Sequence, residues 1–285
     1  MIGLSAGTES ARIAAQVRGY SIEVSARDRA AIDALPDRVP QGTDVYITWT
    51  PRNSHPETAE AAARLRRIGM NPVPHIAARY IESAASLADL LARLDGSAGV
   101  DRALLVGGDV AKPAGPFAAV IDLLRTGLLQ SHGITRIGVA GYPEGHPKIA
   151  ADALDAALRA KIAYARRNGL TPTIVTQFCF DADAILGWLA ALRRDGIDLP
   201  VRVGLAGPAS IATLMRYAVM CGIGNSIKVI GAHRSAIVRL FSEADPGRIV
   251  ERVQRAREAD PALGLAGFHF FPFGGIGKFA DWLKQ

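Results

Sequence analysis

Polar side chains stand where short apolar runs end or are interrupted, and their types are those that proton transfer and ring binding require. Glu23 lies in Ser21-Ile22-Glu23-Val24-Ser25, His75 follows Pro72-Val73-Pro74, and Asp109 follows Leu104-Leu105-Val106-Gly107-Gly108. Tyr142-Pro143-Glu144-Gly145-His146-Pro147 and Thr176-Gln177-Phe178-Cys179-Phe180-Asp181 complete the set. A carboxyl group inside an apolar strand has its pKa raised by burial, which would suit Glu23 to act as a general acid near neutral pH. The alternative is an outward Glu23 paired with an arginine. Gly107 and Gly108 allow close backbone approach to a ligand whose donors Asp109 would accept, or Asp109 is a plain turn or helix cap. The proline-braced loop from Tyr142 to Pro147 can offer a flat ring and two polar groups to a large ring system, or be an ordinary turn. Gln177 is a ligand-binding amide or a hydrogen-bonded polar group at a strand end, and His75 a ligand or a satisfied core histidine.

The elements that must position these groups alternate along the chain. Strand-like runs occur at Tyr20 to Ser25, Asp44 to Trp49, Pro72 to Ile76, Ala103 to Val106, Ile134 to Ala140, Thr173 to Phe180, Val201 to Leu205 and Gly267 to Phe271. Helical patterns lie between them at Glu57 to Ile68, Leu87 to Leu94, Phe117 to Leu129, Lys148 to Arg167, Ala182 to Arg194 and Ile211 to Met220, and a longer segment from Gly231 to Glu258 is interrupted by Asp245-Pro246-Gly247. Asp181 is a good N-cap, and Gly69, Gly169 and Gly196 close helices just before strands. Eight strand and helix units in 285 residues predict an α/β fold, a closed (β/α)8 TIM barrel formed as a single domain over 1–285. In that fold the site sits at the carboxyl ends of the strands. The rule selects Glu23, Thr48, His75, Asp109, Tyr142, His146 and Gln177 together.

Composition narrows the class. Hydrophobic residues make up 49% and charged residues 21%, as in a globular protein, and no apolar run reaches the roughly 18 residues that span a bilayer. The start of the chain lacks the pattern of a signal peptide, so a cytoplasmic protein with no membrane partner is expected. The net charge of +6 suits an anionic small molecule. Its basic clusters, Arg64-Leu65-Arg66-Arg67, Arg166-Arg167 and Arg193-Arg194, fall at helix ends, where they complement the helix dipole, and no nucleic-acid partner is expected. Cys179 and Cys221 read as buried small hydrophobes, with no disulfide framework and no metal site.

The combination resembles the methylenetetrahydrofolate reductase family. The segments that carry the resemblance are Ile22-Glu23-Val24, Ile47-Thr48-Trp49, Pro74-His75-Ile76, Gly108-Asp109, Ala140-Gly141-Tyr142-Pro143-Glu144-Gly145-His146-Pro147 and Thr176-Gln177-Phe178-Cys179-Phe180-Asp181, in order from about residue 20 to 275. The resemblance implies a (β/α)8 oxidoreductase that interconverts 5,10-methylenetetrahydrofolate and 5-methyltetrahydrofolate, with FAD reduced by NADH or NADPH, and a place in methionine-related one-carbon metabolism. It implies that Glu23 is the acid that helps open the folate imidazolidine ring, that Asp109 lies by the flavin and the pterin, and that Gln177 holds the pterin. It implies flavin contacts at Thr48, His75, Val106, Gly108, Phe117, Ala118, Ala140, Tyr142, His146, Asp155 and Lys161, folate contacts at Thr213 and Tyr217, and possible homo-oligomers.

Two positions depart from the family pattern. Gly107 stands where an arginine usually precedes Gly-Asp, and Phe271-Pro272-Phe273-Gly274-Gly275 lacks the arginine often found after the last strand, with Gly275 in its place. Two further readings therefore stand beside the first: a flavin-independent enzyme using NAD(P)H directly, and a folate-binding or methyl-transferring barrel with no redox role.

Overall fold

The computed structural model describes residues 13–50, 54–220 and 246–284. Its strands are β1 (Ser21–Ser25), β2 (Asp44–Thr48), β3 (Asn71–Ala77), β4 (Arg102–Val106), β5 (Arg136–Gly141), β6 (Thr171–Cys179), β7 (Val201–Ala206) and β8 (Leu265–Phe271). They follow one another in sequence order around a closed barrel. Neighbours such as β1 and β2, β3 and β4, and β7 and β8 pair in parallel. With helices between the strands, this is the (β/α)8 TIM barrel expected from the alternation. Every predicted strand is present, with ends displaced by at most two residues.

The helices show why the local signals worked. Helix His55–Arg67 opens with a capping box in which Ser54 and Glu57 satisfy each other's backbone N–H groups. Helix Ala182–Arg194 is capped by Asp181, whose carboxylate accepts from the N–H groups of Asp183 (2.8 Å) and Ala184 (3.3 Å). Gly69 and Gly196, at φ 81° and 74°, then turn the chain out of these two helices. Arg66 donates to the Ala98 carbonyl (2.9 Å) and Arg193 to that of Leu263 (2.9 Å), so part of the basic excess holds loops. The helix predicted over Phe117 to Leu129 is instead two, Val120–Arg125 and Leu128–Ser131. The Asp122 carboxylate accepts from the N–H groups of Ala118 and Ala119, which sets the start, and Gly127 at φ 69° breaks the run. The helix predicted from Lys148 begins at Ala151, because His146 and Ile149 are bridged in the preceding turn. Helix Pro246–Ala259 starts on its proline; Cys221 and the predicted helical stretch from 231 to 245 lie outside the described residues.

Contacts group the chain into two compact units, each built from discontinuous segments. One holds residues 21–140 and 154–175. Its inward side chains Tyr46, Val73, Leu104 and Val175 form one buried cluster, against which Val106 packs. Gly138 makes room there, since a Cβ on it would lie 2.7 Å from Leu104 Cδ1. The other unit holds residues 1–20, 141–153 and 176–285. Phe178, Phe180, Ala206, Leu214 and Ala218 are its buried cluster, and Phe270 meets Phe279 and Trp282 on the helix Ile276–Leu283.

Candidate active site

In the unit of residues 21–140 and 154–175, the strand register organises the polar groups. Parallel pairing sets Glu23 opposite Tyr46 and Ser25 opposite Thr48. The Glu23 side chain is 10% exposed and His75 12%, and His75 Nε2 lies 3.3 Å from Glu23 Oε1. The approach is close but not aligned, because His75 Nε2 completes no hydrogen bond. A carboxyl group and an imidazole in a shielded pair can hold and hand on one proton, with Tyr46 edge-on to the imidazole at 6.1 Å. Thr48 closes the end of β2 by donating to the Val24 carbonyl (3.3 Å).

Asp109 is exposed and accepts a hydrogen bond from the Tyr80 hydroxyl. Gly108 before it has φ 94°, and a Cβ there would come within 3.2 Å of the Tyr80 ring. A Cβ on Gly107 would meet nothing within 4 Å. Val106 is half-buried, Phe117 is buried, and the Ala118 carbonyl accepts from Arg79 Nε (3.0 Å). Ala140, on β5, is half-buried. On helix Ala151–Arg167, Asp155 pairs with Arg159 (2.7 Å), whereas Lys161 has no ion-pair partner among the described residues. Burial lowers the Lys161 pKa to about 8.

The second unit carries the remaining predicted residues. Glu144 is half-buried, and its Oε1 accepts from the N–H groups of Phe180 (2.6 Å) and Asp181 (3.0 Å). Burial raises its pKa more than those two bonds lower it. His146 packs edge-on to Tyr142 at 5.4 Å, and its Nδ1 accepts from the Lys148 N–H (3.2 Å). Burial and Lys148 lower the His146 pKa, so a neutral ring with its proton on Nε2 follows. Gln177 turns its Oε1 back onto the Phe178 N–H (3.1 Å), leaving the amide nitrogen as its outward donor. The Gln177 carbonyl accepts from Thr176 Oγ1 (2.8 Å) and from Cys179 Sγ (3.2 Å), and Gly204 N donates to Thr176 Oγ1 (2.8 Å). Cys179 is buried and its thiol pKa is pushed well up by burial, so it packs and does not react. On helix Ile211–Met220, Thr213 is tied to Ser210 (2.9 Å), and Tyr217 stacks on Phe273 with ring centres 3.9 Å apart and planes 12° apart.

Three residues of consequence were not singled out from the sequence: Tyr80 on Asp109, Phe273 on Tyr217, and fully buried His269 among the phenylalanines of β8; Glu144, expected to offer its carboxylate to a ring system, instead braces the backbone of Phe180 and Asp181. Position after a strand end would have found Tyr80 and Phe273. Nothing local distinguishes a brace from a ligand.

A closed parallel barrel with carboxylate, imidazole and amide groups near the carboxyl ends of its strands is the plan of a (β/α)8 enzyme. A family model for methylenetetrahydrofolate reductase matches residues 25–230, and the chain belongs to that family of oxidoreductases. It is 32% identical over 82 residues to methylenetetrahydrofolate reductase 2 of Saccharomyces cerevisiae, a match covering 29% of this chain and 13% of that protein. It is 31% identical over 164 residues to methylenetetrahydrofolate reductase (NADH) 1 of Arabidopsis thaliana, covering 55% of this chain and 24% of that one. The chain thus spans no more than a quarter of either relative's length. A solved dihydropteroate synthase of Thermus thermophilus superposes with a TM-score of 0.47 at 14% identity, over 93% of this chain and 90% of that one, which is too loose a likeness to bear on function. Glu23 and the Phe271–Gly275 segment fall outside the matched residues. No described helix is long and apolar enough to cross a membrane.

Proposed function

We propose that this chain interconverts 5,10-methylenetetrahydrofolate and 5-methyltetrahydrofolate by hydride transfer, with FAD as the bound carrier and NADH or NADPH as the electron donor. Family membership supports the reaction class, and the Glu23 and His75 pair is the observation that carries the mechanism. Glu23 delivers a proton to the folate ring as it opens to the reactive iminium, and a replacement proton from solvent reaches Glu23 by way of His75. Asp109 accepts from the pterin edge, the Gln177 amide donates to it, and Tyr217 and Thr213 hold the far end of the folate.

The residues assigned to FAD fit such a group in two respects. Lys161 is a desolvated cation with no carboxylate partner among the described residues, as a phosphate requires, and neutral His146 keeps an Nε2 donor. Bound FAD would supply the hydride chemistry; the chain supplies binding, orientation and the proton. One feature favours a second reading, in which NAD(P)H is used without flavin: Gly107 presents no side chain to a flavin where the family pattern has an arginine.

The visible spectrum of the purified protein separates the two. Flavin bands near roughly 375 and 450 nm support the first reading, and a colourless protein that oxidises NADH with methylenetetrahydrofolate supports the second. Failure of either form to turn over folate overturns both, and leaves a barrel that binds folate without redox chemistry.

A further inference from the structure

The turn that follows β3 reaches across to the loop after β4 and holds it at several points. Arg79 N donates to the Gly107 carbonyl (2.9 Å) and the Arg79 carbonyl accepts from Ala114 N (2.9 Å). The Arg79 guanidinium donates to the carbonyls of Val110 (3.0 Å), Ala111 (3.1 Å) and Ala118 (3.0 Å). Gly115 is in such close approach to the carbonyls of Ile81 and Glu82 that no Cβ fits between them. Tyr80 sits at the centre of this stitching, with its ring against Gly108 and 6.5 Å from that of Trp49, and its hydroxyl on Asp109.

We propose that Tyr80 is a positioning residue that sets the orientation of the Asp109 carboxylate before folate arrives, an inference that rests on the reading of Asp109 as a pterin contact. The backbone is fixed before Tyr80 through the N–H and carbonyl of Arg79 and after it by Ile81 N donating to the Ala78 carbonyl (3.1 Å), and with the ring against Gly108 the hydroxyl meets Asp109. Asp109 itself is exposed and follows two glycines, so without that donor its carboxylate samples several rotamers. Burial and the neighbouring Asp109 carboxylate raise the Tyr80 pKa to about 12, so the phenol stays a donor over the whole working range. A carboxylate fixed in advance costs less ordering when it accepts from the pterin edge, and that gain appears in binding of folate rather than in the chemical step.

The test is a double-mutant cycle between Tyr80→Phe and Asp109→Ala, read as the Kd for 5-methyltetrahydrofolate by calorimetry and as KM for folate and for NADH. Tyr80→Phe keeps the ring on Gly108 and removes only the donor. It is expected to raise the folate Kd and KM about 10-fold, the effect of losing a charge-assisted hydrogen bond at an exposed site, with kcat and the NADH KM unchanged. In the Asp109→Ala background the same substitution should have no further effect. Additive losses, or a loss shared by both substrates together with a lowered Tm, make Tyr80 merely structural and overturn the proposal. If Asp109→Ala weakens folate binding while Tyr80→Phe is silent, the inference fails alone. If Asp109→Ala is itself silent, the reading of Asp109 fails and the inference falls with it.

Discussion

Glu144 offers the sharpest test of how the end of β6 is held, because its substitutions separate hydrogen bonding from charge. Its carboxylate accepts from two backbone N–H groups, those of Phe180 and Asp181, at 2.6 and 3.0 Å. Phe180 is buried, so truncation leaves its N–H without water, a cost of about 1–3 kcal/mol; exposed Asp181 adds little. Glu144→Ala is therefore expected to destabilise by about 2 kcal/mol, or about 4 °C in Tm for a chain of this size. Glu144→Gln keeps an acceptor oxygen and removes the half-buried charge. Because burial raises the Glu144 pKa, its share of stability is full below the ordinary carboxyl range and is lost as pH rises through the raised value. The glutamine variant should thus match the parent at acid pH and exceed it increasingly toward pH 8. Thermal unfolding followed by circular dichroism from pH 4 to 8 measures both effects. An alanine variant as stable as the parent, or a glutamine variant whose margin shrinks with rising pH, would refute the reasoning.

Other substitutions probe the rest of the chain. Glu23→Gln removes the proposed proton donor while preserving shape, and turnover should fall by roughly 10² or more with folate binding retained; unchanged turnover would remove Glu23 from the role of proton donor. Lys161→Met should raise Tm at pH 7, since the buried ammonium is unfavourable there, and the gain should shrink as pH rises from about 8 into the ordinary lysine range, where the parent's lysine is neutral in both states. The same variant should lose affinity for a phosphate-bearing cofactor, measured by flavin retention on gel filtration. Gly204→Ala places a Cβ hard against the Thr176 carbonyl oxygen, a backbone atom, and urea unfolding should report a loss of about 1–3 kcal/mol from overpacking.

The sequence was sufficient for the order of elements. Apolar runs such as Leu104-Leu105-Val106 suit strands buried on both faces, and Asp181, Gly69 and Gly196 mark helix ends by chemistry that acts within a few residues. It misread Phe117 to Leu129 as one helix because the Asp122 side chain and the positive φ of Gly127 outweigh the helical periodicity around them. The candidate site was legible as a set of strand-end residues: the barrel rule asks only where apolar runs stop.

What each of those residues touches was decided by the tertiary structure. Glu23 and His75 are 52 positions apart in the chain, and only parallel pairing through β2 brings them to 3.3 Å. Asp109 acquires Tyr80, and Phe180 acquires Glu144, across separations of 29 and 36 residues. Side-chain identity and local spacing determine helices, strands and their ends, because those interactions close within one or two turns of chain. Partnership between strand ends depends on register and on how loops pack, and no local pattern encodes it.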